Sequence, residues 1–120
     1  FFLDIGFRRV IFSSPETHDE MIAYTSQMAH IVSSAYVCSE LAQKHKGFSA
    51  GSFQDMTRVA KLNEHMWTEL FLLNREPLLG ELNDMIGRLC AMRDALFDKD
   101  GERLHGMLRA GRERKQMLEE

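Results

Sequence analysis

Asp19, Ser26 and His30 recur at i, i+7 and i+11. On an α-helix those positions fall within roughly 20° of a common line. Ser26 and His30 stand one turn apart, so a hydroxyl and an imidazole can touch one ligand together. Asp19 lies about three turns from His30, too far to share a metal with it. The same stripe carries Ile22, Ala23 and Val37, so it is not a simple solvent face. The plain alternative is a buried histidine hydrogen-bonded to its neighbouring serine. A second cluster runs Gly51-Ser-Phe-Gln-Asp55-Met-Thr57-Arg58. Its guanidinium is a planar fork that grips a carboxylate through two parallel hydrogen bonds. A salt bridge to Asp55 or Glu64 is the competing use of Arg58, and Asp55 itself reads as a helix cap. Trp67, the only tryptophan, packs either in the core or against a pocket or interface.

Other groups offer less. His18-Asp19-Glu20 superficially resembles a metal set, but consecutive helical residues point in different directions, so no metal is expected. His45, His65 and His105 fall near helix ends or faces. No GxGxxG, Walker loop, HExxH or Ser-His-Asp arrangement occurs. No complete catalytic machinery is present, and these residues read as one wall of a pocket. Cys38 and Cys90 lack CxxC partners, so they read as reduced thiols rather than zinc or redox ligands. Fifteen basic and 18 acidic residues leave a net charge of −3, which argues against a sequence-independent nucleic-acid binder. The locally basic stretch Arg103, Arg109, Arg112, Arg114 and Lys115 reads as a solvated helix face. There is no signal-peptide pattern and no apolar run near the ~20 residues that span a bilayer. A cytoplasmic protein without membrane contact is the expectation.

Almost all of these residues sit on helices. The opening, Phe-Phe-Leu-Asp-Ile-Gly6, reads as the end of a helix with Gly6 as its terminator. Phe7 to Phe12 reads as a strand with no partner in the chain, so its sheet is expected upstream. From Ser13 on, the pattern is helical. Ser13 or Ser14 caps, Pro15 suits the first helical position, and Ser13-x-x-Glu16 has the form of a capping box. One helix is expected from 15 to about 44. After the loop 46–51 come a short helix from Ser52 to about Leu62 and another capped by Asn63. A long helix opened by Asn74 and Pro77 follows, then a turn at Asp98-Lys99-Asp100-Gly101 and a last helix to about Glu119. A 15–44 helix would extend ~45 Å. A compact domain of this size has a radius of gyration of only ~14 Å. Overlong amphipathic helices need cover, so a homodimer is expected, with Gly80 and Gly87 permitting close helix approach.

Three blocks in register carry a family resemblance. Ser-Pro-Glu-Thr-His18-Asp19, followed by Ser26-Gln27-Met28-Ala29-His30, resembles the His-Asp … Ser-His-Leu-Pro-His signature of prephenate dehydrogenases. Gly51-Ser-Phe-Gln-Asp55-Met-Thr57-Arg58-Val-Ala resembles their Gly-(x)-Phe-x-Asp-x-Thr-Arg-Ile-Ala block. Met66-Trp67 … Asn74 is similar to their Met-Trp … Asn continuation. The resemblance implies an all-α dimerisation domain of long antiparallel helices over 15–120, with 1–14 the tail of an NAD-binding domain. Such enzymes oxidatively decarboxylate prephenate to 4-hydroxyphenylpyruvate with NAD, for tyrosine synthesis, between those two domains. It further implies that Arg58 grips a prephenate carboxylate, that His30 lines the pocket with Ser26 and Gly51 close by, and that Trp67 approaches from the partner subunit. Asp19 would join a polar network at the entrance. The catalytic histidine would lie in the preceding domain, leaving this chain inactive alone. Arogenate or cyclohexadienyl dehydrogenase, and a purely structural helical dimerisation module, are the alternatives. Two positions depart from the signature: its first histidine is here Gln27 and its proline is Ala29. Losing the proline should keep the helix regular.

Overall fold

The computed structural model describes residues 14–44 and 51–119, and every regular element among them is helical. The all-α expectation therefore holds for these residues. The Gly6 terminator, the Phe7–Phe12 strand, the Ser13 capping box and the glycine loop 46–50 lie outside the described residues.

Helix α1 (Pro15–Ile22) starts where the sequence predicts, with Ser14 as the cap. The Ser14 Oγ accepts from the Thr17 amide at 3.2 Å, and Pro15 fills the first position, where no amide proton is needed. The helix does not run regularly to residue 44. Ala23–Gln27 form a π-helical turn, α2 (Met28–Val37) follows, and a 3₁₀ segment covers Glu40–Lys44. So the loss of the proline leaves a wide turn here rather than a regular α-helix. A local reason is visible: the Thr25 hydroxyl donates to the Met21 carbonyl at 2.7 Å, the kind of back-bond that bends helices. The 15–44 expectation is corrected in length as well as in regularity, because α2 ends at Val37.

Helix α3 (Gly51–Thr57) passes into a 3₁₀ turn, Arg58–Ala60. Asp55 is the fifth residue of α3, too deep to cap it, which corrects the capping role. The Arg58–Ala60 turn and α3 both pack on α2. Phe53 of α3 meets Tyr36 of α2 with ring centroids 6.2 Å apart. Helix α4 (Glu64–Leu73) is capped by Asn63, whose Oδ1 accepts from the Met66 amide at 3.0 Å.

The long helix α5 (Arg75–Phe97) ends in a Schellman turn. The Asp100 amide bonds the Ala95 carbonyl at 2.9 Å and the Lys99 amide the Leu96 carbonyl at 3.2 Å. Lys99, not Gly101, takes the left-handed position, with φ 55. Asp100 then caps α6 (Gly101–Leu118) through a 3.1 Å bond from the Arg103 amide.

The chain divides into two compact units, residues 1–81 and 82–120. The first holds Ala23, Met28 and Leu78 as its buried apolar residues among those described, and the second holds Ala95. Neither α4 nor α6 buries a single residue. Along α5, Leu79, Ile86, Leu89 and Leu96 are exposed at 42%, 47%, 54% and 64%, and they cluster on one side at 100° per residue. No helix among the described residues is long and apolar enough to cross a membrane.

Candidate functional site

The π-helical turn is what shapes the site. Such turns insert one residue into an α-helix and rotate everything beyond it. The π-helical turn lies between Asp19 and His30, so the 100° spacing of a regular α-helix does not carry through the Asp19–Ser26–His30 stripe. His30 instead turns back, and its Nδ1 lies 2.8 Å from the backbone carbonyl of Ser26. It is the main chain of Ser26, not its hydroxyl, that holds the ring. A carbonyl can only accept, so Nδ1 carries the proton, and the Nε2 of the neutral ring is left as an acceptor.

The other face of His30 is covered by Trp67. The two rings stack with centroids 3.9 Å apart and planes 23° from parallel. Trp67 also meets Phe71 one turn on, at 5.7 Å. Within one chain, the indole of Trp67 is thus in contact with the imidazole of His30. The stack is worth ~0.5–1.5 kcal/mol beyond simple burial.

Arg58 is exposed, on the turn that packs against the helix bearing His30. Neither Asp55 nor Glu64 pairs with it, and no ion pair among the described residues involves it. The internal salt bridge is thus not made, and its fork of donors is open to a ligand. Gly51 opens α3, and nothing stands within 4 Å of where a Cβ would project. Asp19 contributes in two ways. Its carboxylate faces His18 Nδ1 at 3.6 Å, both side chains being about half exposed, and its backbone carbonyl accepts from Asn74 at 3.0 Å. No group of three His, Cys, Asp or Glu side chains that could hold a metal occurs among the described residues.

Sequence reading missed the most buried polar members. Gln27 is 4% exposed and bonded at both ends of its amide: Oε1 accepts from Asn74 Nδ2 at 2.7 Å, and Nε2 donates to the Leu70 carbonyl at 3.3 Å. Ser33, 2% exposed on α2, keeps an Oγ with no hydrogen-bond partner. A buried glutamine at the place of a signature histidine was the one available signal. Gly80 and Gly87 are not required by packing within the chain, since a Cβ at either meets nothing within 4 Å.

One helical unit thus holds a histidine fixed by a main-chain carbonyl, a tryptophan stacked on it and an arginine without an ion-pair partner among the described residues. Residues 14–110 match the model of the family "Prephenate dehydrogenase, dimerization domain", and the chain belongs to that family. Among curated relatives, a cyclohexadienyl dehydrogenase of Zymomonas mobilis is 32% identical over 102 residues, covering 80% of this chain and 35% of that protein. A prephenate dehydrogenase of Bacillus subtilis is 31% identical over 96 residues, covering 76% of the chain and 26% of that protein. The chain thus spans about a third or less of the relatives it matches. The crystal structure of Synechocystis arogenate dehydrogenase superposes with a TM-score of 0.81 over 92% of this chain and 42% of that one, at 19% identity, which establishes the shared fold.

Proposed function

We propose that this chain supplies the dimer interface and part of the substrate pocket of an NAD-dependent dehydrogenase acting on prephenate, which is oxidatively decarboxylated to 4-hydroxyphenylpyruvate. The observation that carries the reading is the unpaired Arg58 fork on a turn packed against the helix of the locked His30. Prephenate is a dianion, so its capture needs a fixed cation, and loss of carbon dioxide is helped by holding the leaving carboxylate in one orientation. Arg58 binds a carboxylate, and the Nε2 of His30 accepts from a hydroxyl. Ser26 and Gly51 border the same wall, Trp67 fixes the plane of His30, and Asp19 belongs to the polar network beside it. None of the described residues forms a glycine-rich strand-to-helix turn, so they do not fit a dinucleotide. Contacts to NAD and the general base are proposed for polypeptide outside them. The exposed apolar side of α5 is covered in a homodimer.

A second reading is favoured by the relatives' own names: arogenate or both cyclohexadienyl substrates, which differ from prephenate at the amino or keto side chain. The carboxylate common to all of them is what Arg58 would hold. The test is steady-state kinetics of the active dehydrogenase with prephenate and with arogenate. Arg58→Ala should lower kcat/KM by roughly 30- to 5,000-fold, the ~2–5 kcal/mol of a buried charge-assisted pair broken from one side. Arg58→Lys should recover only part, because an ammonium lacks the planar fork. A folded Arg58→Ala enzyme with unchanged kcat and KM for both substrates would remove Arg58 from the site.

A further inference from the structure

Gln27 and Asn74 make three hydrogen bonds that join the helical run 15–27 to the end of α4. Asn74 donates to Gln27 Oε1 at 2.7 Å and to the Asp19 carbonyl of α1 at 3.0 Å, while Gln27 donates to the Leu70 carbonyl of α4 at 3.3 Å. A primary amide only 4% exposed needs both its oxygen and its NH₂ satisfied, and this arrangement satisfies both. The pair also lies between two fixed ends. On one side, Gln27 follows Ser26, whose carbonyl holds His30 Nδ1 at 2.8 Å. On the other, Leu70 and Asn74 lie one and two turns beyond Trp67 on the same side of α4. Gripping α4 at Leu70 and Asn74 therefore sets its rotation and its height against the π-helical turn. Rotation and height of α4 decide whether the indole of Trp67 meets the imidazole at 3.9 Å.

We infer that Gln27 and Asn74 form a positioning pair: their buried amide contact seats Trp67 on His30 and so aims the Nε2 of His30 at the ligand. This gives Gln27 a task at the place of the signature histidine. The identity of the ligand rests on the function proposed above, but the seating of the two rings does not.

Trp67 is the only tryptophan of this chain, so the chain's indole emission reports the surroundings of that one ring. A stacked imidazole quenches an indole, and His30→Ala supplies the unquenched reference. Gln27→Met keeps the length of the side chain and removes both polar ends, and Asn74→Ala removes the other partner. Both should shift Trp67 emission most of the way to the His30→Ala level. Asn63→Ala is the control: it removes the cap of the same helix and lowers Tm, yet should keep wild-type emission. Gln27→His should retain much of the quenching, since an imidazole still offers one donor and one acceptor. Folded Gln27→Met and Asn74→Ala proteins with wild-type emission would overturn the inference. If wild type fails to bind prephenate while Gln27→Met still releases the stack, the proposed substrate fails and the positioning pair stands.

Discussion

Removing Asn74 and Gln27 singly and together should give strongly non-additive stabilities. Asn74→Ala deletes two donated hydrogen bonds, to Gln27 Oε1 and to the Asp19 carbonyl, at ~1 kcal/mol each. It also strands Gln27 Oε1 on a side chain that is 4% exposed, adding ~1 kcal/mol or more for an unsatisfied buried acceptor. The total is ~3 kcal/mol. Gln27→Leu deletes two bonds as well, but strands nothing. The Leu70 carbonyl keeps its helical bond from the Asn74 amide at 3.2 Å, and Asn74 Nδ2 keeps the Asp19 carbonyl. The apolar side chain gains from burial, so the net cost should be ~1 kcal/mol. In the double variant the stranded acceptor no longer exists and the shared bond is lost only once. Its cost should be ~2 kcal/mol against a sum of ~4, a coupling of ~1–2 kcal/mol. Chemical denaturation followed by circular dichroism measures this, with chain concentration held constant because an oligomer's stability depends on it. Additivity within about 0.5 kcal/mol would refute the claim that the two amides act as one unit.

Three further outcomes follow from other parts of the chain. Lys99→Gly relieves a side chain at φ 55 and should stabilise by ~1 kcal/mol, seen as a Tm a few degrees higher; no gain would mean the Schellman turn is formed otherwise. Asn63→Ala should cost ~1 kcal/mol through the lost bond to the Met66 amide, and an unchanged midpoint would deny the cap. Ile86→Asp puts a charge on the exposed apolar side of α5 and should shift the protein towards monomer in sedimentation, with the secondary structure by circular dichroism retained. A wild-type chain that is monomeric at micromolar concentration would contradict the dimer itself.

The starts and stops of helices were the most legible features. Ser14 and Asn63 act through bonds to amides three residues away, so local sequence is enough to find them. The α5–α6 turn was equally visible as Asp-Lys-Asp-Gly, though the left-handed residue fell on Lys99 because Asp100 serves as the next cap. The regular helix from 15 to 44 was the main failure. Periodicity at 100° per residue assumes an unbroken α-helix, and a π-helical turn changes the phase without changing residue type. The Asp19–Ser26–His30 row rested on that assumption.

Local sequence carried the helical class, the Ser14 and Asn63 caps, and the family resemblance that the match over residues 14–110 bears out. It also singled out His30, Arg58 and Trp67, because imidazole, guanidinium and a lone indole are scarce and chemically distinct types. Tertiary structure decided what surrounds them: which atom of Ser26 holds His30, that Trp67 stacks on it, and that Arg58 has no ion-pair partner among the described residues. It also recruited Gln27 and Asn74, which lie 47 residues apart. Amides carry no signature in sequence, since they are as common on surfaces as in cores. Only burial gives their hydrogen bonds weight: in water an unpaired amide costs nothing, whereas beneath α4 it must find its partner.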